Sequence, residues 1–299
     1  MPNLKNKQSG QALLVVLMVI AVVVIVAASA ISRSVSDVSI TSREVDSQRA
    51  FSAAEAGVES ALLVGNTQAT LPNQEASYNA TVATFAGNSN QYVHPSELSN
   101  GDTATIWFVS KDVNGNPTCS GQPCFSGQRL SICWGRQKTY NNPQTIPAAE
   151  ITMFYARPAF AYSNLQRSTI AADPNAARRV TNSYKDIDSG NCTLNGQGFA
   201  FKKTIALGNS GSLDSFGITP PISNGVPIFA RVTLRYNTDE PYSLGIDVNG
   251  QGTLPAQGDK ITSSGSSNNA TRKVEVYNLY PDHPPIFDSS IFTEGSISK

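Results

Sequence analysis

The feature that most constrains this chain lies near its start. Ala12 to Ile31 reads ALLVVLMVIAVVVIVAASAI, twenty residues with Ser29 as the one polar member. As a helix the run is about 30 Å long, the thickness of bilayer hydrocarbon, so it spans or anchors. The first ten residues, MPNLKNKQSG, contain Lys5 and Lys7 and no acid. Positive charge before an apolar span keeps the N-terminus in the cytoplasm and sends everything after Ile31 outward.

Three kinds of segment share these properties: a cleaved secretory signal, an uncleaved signal anchor, and a signal whose apolar part is kept after cleavage. Ala28-Ser29-Ala30 fits a small-x-small cleavage pattern, but the apolar stretch exceeds an h-region of about 7–15 residues. The next segment argues for a continuing helix. Ser32 to Val64 has no Pro, has its first Gly at Gly57, and is rich in Ala, Glu, Arg, Ser and Val. At about 100° per residue, Ile31, Val35, Val38 and Val45 fall on one face, whereas Phe51, Val58 and Leu62 fall on nearly the opposite one. A helix of roughly 50 residues, far above the mean of about 12, needs two burial environments. A fibre of like helices is expected for its first half and the chain's own head for its second, with Phe51, Val58 and Leu62 as the packing residues. Ala50, Ala53, Ala54, Ala56 and Gly57 permit close backbone approach there.

Composition narrows the function. The 299 residues are 40% apolar and 15% charged, with 22 basic groups against 22 acidic; typical soluble domains carry about 25% charge. No global field draws in nucleic acid. The two histidines, His94 and His283, are each followed by Pro, which removes His-rich zinc sites and leaves few general bases. Ser210 in GNSGS lacks the second Gly of a nucleophile elbow, and no phosphate-cradling glycine motif occurs. No cofactor and no catalysis are expected.

Gly10 directly before a 20-residue apolar helix resembles the class III signal of type IV prepilins, cleaved after the glycine so that the apolar helix is retained. The stretch GQALLVVLMVIAVVVIVAASAISRSVSDVS, followed by SQRAFSAAEAGVESAL, is similar to the N-terminal region of PilX-type minor pilins, including QRAFxAAEAG at Gln48 to Gly57. The resemblance covers about 60 residues. It implies cleavage between Gly10 and Gln11 by a prepilin peptidase, an assembly platform, other pilins as partners, and a filament core formed by the helix bearing Val15, Ile31, Val35, Val38 and Val45. Position five after the cleavage is Val15, where major pilins carry Glu. That departure resembles tip subunits, because the family's pairing of this Glu with a neighbour's N-terminal amine has no counterpart here. Gln11 stands in place of the usual Phe.

The expected fold class is α+β: a long, partly transmembrane N-terminal helix packed on an antiparallel β-rich head. Expected boundaries are leader 1–10, membrane or fibre-core helix 11–31, helix continuation 32–65 and extracytoplasmic head 66–299. Strands are expected over Tyr78–Phe85, Ala104–Val109, Arg129–Trp134, Glu150–Tyr155, Phe199–Ile205, Ile228–Tyr236, Tyr242–Val248 and Arg272–Tyr277. The alternation of Arg231–Tyr236 and Lys273–Tyr277 marks half-buried strands with one wet face. Long loops are expected at 114–128, 173–195 and 257–270, the last a Gly/Ser-rich flexible connection.

Cys119, Cys124, Cys133 and Cys192 all lie beyond the membrane segment, an even count in an oxidising compartment. Three connectivities are open; the preferred one joins Cys119 to Cys124 and Cys133 to Cys192. Zinc is the rival, but the spacing lacks paired C-x2-C knuckles. Asp112–Asn116 begins like a calcium loop and fails at Pro117, so a turn is favoured; Asp186 and Asp188 before Gly190 form a better calcium pair, with a solvated turn still preferred. Leu254–Gly258 departs from a cell-wall sorting signal. The pairs Arg178-Arg179, Lys202-Lys203 and Arg272-Lys273 read as scattered surface charge rather than a DNA patch. Trp107 and Trp134 read as packing residues; Phe154, Tyr155, Phe160 and Tyr162 read as core, with an exposed adhesive surface as the alternative. The filament reading competes with a membrane-anchored extracellular binding protein and with an anchored hydrolase.

Overall fold

The computed structural model describes residues 9–72, 75–156, 165–218 and 227–281. In chain order the elements are α1 (Ser9–Val64), β1 (Thr67–Thr70), β2 (Ser77–Phe85), β3 (Gln91–Val93), β4 (Thr103–Trp107), β5 (Ser110–Lys111), β6 (Pro117–Thr118), β7 (Arg129–Trp134) and β8 (Ala148–Ala156). They continue with β9 (Leu165–Ala172), α2 (Ala176–Asn182), β10 (Cys192–Leu194), β11 (Gln197–Phe199), β12 (Phe201–Ala206), β13 (Pro227–Arg235), β14 (Leu244–Asp247), β15 (Gly258–Ser267) and β16 (Ala270–Leu279). The class is α+β, a long apolar helix followed by antiparallel sheets. Gly10 and Gln11 fall in the first turn of α1; Lys5, Lys7, Phe160, Tyr162 and His283 lie outside the described residues.

The chain forms two compact units, with residues 66–299 contributing to both. The first unit comprises the chain to Val82 together with Ile261–Val276. It holds α1, 56 residues long, and most of the sheet ordered β1-β2-β15-β16. Strand β15 overturns the flexible connection expected at 257–270. Its burial alternates, with Gly258, Ile261, Ser263, Gly265 and Ser267 buried. These residues lack the bulk that marks a strand in sequence, and close packing rewards that lack of bulk here.

The second unit comprises Ala83–Lys260 and the chain from Tyr277. Two four-stranded sheets, β12-β7-β14-β3 and β4-β13-β8-β9, share one apolar core. Leu130, Ile132 and Trp134 of β7 and Leu244 and Ile246 of β14 meet Ile106 of β4, Ile151 and Met153 of β8, and Val232 and Leu234 of β13 in that core. All eight expected strands are present, and β7 coincides with its expected span. Strand β13 departs from the expected wet face: it lies between β4 and β8, and even Arg231 is buried. Strand β16 keeps the alternation, with Val274 and Val276 half-buried among exposed neighbours. Trp134 is enclosed and donates Nε1–H to the Pro147 carbonyl at 2.8 Å. Trp107, tilted against the Phe229 ring, is also buried, as is Phe154.

The expected loop at 173–195 contains α2 and β10 and is organised by charge. Asp173, fully buried, takes two hydrogen bonds from Arg178, at 3.0 and 2.7 Å. Arg178 also donates to the Gln144 and Ile146 carbonyls and stands 4.2 Å from the Tyr236 ring centroid. The Asn175 side chain caps α2 by accepting from the Ala177 and Arg178 amides. Lys203 is buried and bonds Asp214 at 2.7 Å. Two of the basic pairs noted in the sequence are therefore half internal.

The disulfides join Cys119 to Cys124 and Cys133 to Cys192, with sequence separations of 5 and 59. By loop-closure entropy the long link restrains the unfolded chain by about 4 kcal/mol and the short one by about 2. Denaturant titrations of the Cys133→Ala/Cys192→Ala and Cys119→Ala/Cys124→Ala pairs are expected to show losses in that order.

Lys203 holds the Asp214 carboxyl below the usual carboxylate range by donating a hydrogen bond to it. A depressed folded-state pKa gives stability that is present above the unfolded value of about 3.9 and lost as pH falls through the folded one. Asp214→Asn is expected to lower stability at pH 7 and to flatten its decline below about pH 4, read by thermal unfolding across pH.

Candidate functional site

The site that the sequence singles out is α1, and its two halves have opposite surroundings. From Leu13 to Glu44 no described side chain is buried. Leu13, Leu14, Leu17, Met18 and Ile25 are between 63% and 69% exposed, the exposure of a bare apolar rod. Val15, Ile31, Val35 and Val38 are exposed with them, and Val45 is 39% exposed. Among the described residues this is the one helix long and apolar enough to cross a membrane. Two of its hydroxyls turn inward on the helix itself: Ser36 donates to the Ser32 carbonyl at 3.0 Å and Thr41 to that of Asp37 at 2.9 Å. Such back-bonding to the fourth residue before lets a hydroxyl sit beside apolar partners without a second donor or acceptor.

Burial begins where the β15–β16 turn grips the helix. Asn268 donates to Asp46 at 2.8 Å, and Arg272 donates to the Ser47 hydroxyl at 2.6 and 2.8 Å. Arg49 pairs with Glu75 at 2.9 Å. Beyond this clamp Ala50, Ala53, Ala54, Gly57, Val58 and Ala61 are buried, a spacing of 0, 3, 4, 7, 8 and 11 that defines one helix face.

That face meets the small residues of β15 backbone to backbone. A Cβ added at Gly265 would run into the Ala50 carbonyl and the Ala54 nitrogen. One added at Gly57 would strike the Ser263 hydroxyl and the Tyr78 ring. Val58 and Ala61 then close a small apolar cluster with Ala80 and Ile261. The AFSAAEAG portion of the motif thus has a local physical role: its Ala and Gly positions let a strand approach the helix axis.

The expected packing residues are corrected in part. Val58 is buried, but Phe51 is 47% and Leu62 is 51% exposed. They lie about 100° around the helix from the centre of the seam, beyond the reach of β15. An apolar-face count favoured the bulky residues and missed the seam's partner strand; the period-two run of Ile261, Ser263, Gly265 and Ser267 was the available signal.

At the weak calcium candidates Asp186 and Asp188, for which a turn was preferred, the carboxylates are engaged by the chain itself. Asp186 pairs with Arg179 at 2.9 Å and accepts the Ile187 amide, while Asp188 accepts the Thr204 amide at 2.7 Å and faces Lys203 at 3.8 Å. Cationic side chains take the place a cation would need, and no group of three metal-ligating side chains occurs among the described residues. Asp112 accepts from the Asn114 and Asn116 amides in the expected turn, and these bonds, with Asn116 first, hold its carboxyl below the usual range. In the would-be sorting signal, Gln257 is buried and bonds both the amide and the carbonyl of Trp107.

An exposed apolar helix continuous with a β-rich chain is the architecture of a subunit anchored by its N-terminus. Residues 9–59 match the family model described as PilX N-terminal, the region in which the prepilin-like signal and QRAFxAAEAG motif lie. The match lies wholly within α1 and supports a relation of that region to type IV pilus-related pilins. No curated protein matches the chain.

The seam predicts an inverted mutational pattern. Gly265→Val or Gly57→Val is expected to destabilise the folded chain by roughly 3 kcal/mol, at the upper end for overpacking. Phe51→Ala and Leu62→Ala, although larger changes in hydrophobic bulk, are expected to cost under about 1 kcal/mol. Thermal unfolding in micelles checks both.

Proposed function

We propose that this chain is a minor pilin-like subunit of a type IV pilus or a related filament, acting in priming or at the tip. The observation that supports this most is the pairing of a wholly unburied apolar rod with a motif-bearing second half packed on its own sheet. In the membrane, lipid covers Leu13–Ile31. In the filament, neighbouring helices replace lipid, so apolar burial is nearly conserved while extraction proceeds.

Gly10 and Gln11 mark the cleavage point, and the prepilin peptidase acts on the cytoplasmic side. The head is outside, where its disulfides are stable. Val15 leaves the subunit without a carboxylate to offer a neighbour's amine, which suits a position that starts or caps the fibre. The partners are other pilins and the assembly platform, with adhesion or surface contact as the task of the head.

Intact-mass analysis of protein from cells with and without an active prepilin peptidase tests the reading. The expected result is a start at Gln11 that depends on the enzyme and disappears in Gly10→Leu. An unprocessed Met1 or a start at Ile31 overturns it in favour of an anchored binding protein or a secreted one. A deletion strain with wild-type fibre number and surface binding removes the priming and adhesive role.

A further inference from the structure

One cleft of the two-sheet unit opens beside its core, with Tyr92 of that core in its wall. It holds about 440 Å³ and is lined by the edge strand β3, the β10–β11 turn and the ends of β2 and β16. A run of four rings forms its aromatic side: Tyr277 lies 4.7 Å from Phe85, Phe85 5.7 Å from Tyr92, and Tyr92 6.3 Å from His94. The rings grade from buried to accessible, with Tyr92 enclosed and Tyr277 38% exposed.

The polar side chains at the cleft are mainly amides. Asn195 and Gln197 are exposed on either side of Gly196. Positive φ at Asn195 and Gly196, 48° and 82°, gives the tight two-residue turn of a twisted hairpin. This hairpin is tied at both ends. Cys192 is bonded to Cys133 of β7, and the Asn195 amide donates to Gln91 Oε1 at 3.0 Å. Gln91 is itself oriented by donating Nε2–H to Asp247 at 3.2 Å. His94 Nδ1 engages the Ser96 backbone, which leaves Nε2 as the ring's remaining polar atom. Burial lowers its pKa, so the ring is neutral at pH 7.

No lining side chain carries a formal charge at that pH. Beside the cleft, Lys260 Nζ stands over the Tyr277 ring, 5.5 Å from its centroid. A charged ligand would find no set of counter-ions, and a purely apolar one would leave the amides facing it unused. A sugar has both required faces: axial C–H groups that pack on the electron-rich face of an aromatic ring, and hydroxyls that pair with planar amides and imidazole.

We propose that this cleft binds a neutral saccharide, with the sugar's C–H face on Tyr277 and its hydroxyls on Asn195, Gln197 and His94. The tied hairpin and the braced Gln91 hold the donors and acceptors in place before binding, so little ordering is needed. This site goes beyond the filament reading and does not rest on it, since a chain left uncleaved at Gly10 carries the same cleft.

The test uses the full chain in a zwitterionic, sugar-free detergent on arrays of immobilised neutral glycans, sialylated glycans and random peptides, followed by calorimetric titration with the retained compound. Retention of neutral glycans is expected, with affinity reduced about tenfold or more by Tyr277→Ala and several-fold by Gln197→Ala. Val180→Ala, on exposed α2 surface, is expected to leave affinity unchanged. Gln197→Ala decides the matter if Tyr277→Ala fails to fold, because its side chain is exposed at the turn. No retention of neutral glycans at millimolar concentration, retention of sialylated glycans or peptides alone, or equal affinity in both cleft variants would overturn the proposal.

Discussion

The helix-bearing unit depends on a contact made by what its residues lack. Between Ala50 and Ala61 the helix offers Ala, Gly and one Val, and β15 answers with Gly265, Ser263 and Ile261. Little apolar area per residue is removed from water in such a seam. Its stability comes from many close van der Waals contacts between backbones, each worth about 0.1–0.2 kcal/mol and all forfeited together if one side chain holds the surfaces apart. The polar clamp at Asp46, Ser47 and Arg49 sets where along the helix this contact begins. Upstream of it the described residues supply no cover.

That boundary gives α1 two different energetic regimes. The second half is held by its own sheet, whereas the first half requires an environment from outside the chain, either lipid or the helices of other subunits. A single amphipathic stripe would not serve both: the faces differ, and Ala12–Ile31, with Ser29 as its one polar residue, is apolar around its whole circumference. Farther along, Ser36 and Thr41 bond their hydroxyls back to the helix.

The sandwich unit reaches its order by other means. Its core is conventional in bulk, with Trp134, Phe108, Phe125 and Phe199 enclosed. Its long connections are held by a few buried ionic contacts in a chain that is only 15% charged. Asp173 with Arg178, and Lys203 with Asp214, are costly to desolvate, and their contribution is to dictate where α2 and the segment after β12 lie. The Asp186–Asp188 region, which resembled a cation site in sequence, is explained in the same way: Arg179 and Lys203 already satisfy it.

The membrane-length helix, its continuation to Val64, the eight main strands and the even set of cysteines are legible before any folding is considered, because they follow from local periodicity and composition. Alternation of bulky residues located β13 and β16, since bulk is what burial ordinarily selects, although the wet face it implied holds only for β16. The tertiary structure decided which side of the helix is covered, that Phe51 and Leu62 remain outside, and that GDKITSSGSS is a packed strand rather than a connection. Small residues carry no hydrophobic signal of their own; the close approach that Gly57 permits is realised by Ser263 arriving from far along the chain. Likewise the spacing of the cysteines left three pairings open, and the β10–β11 hairpin, leading into β12 beside β7, sets Cys192 against Cys133.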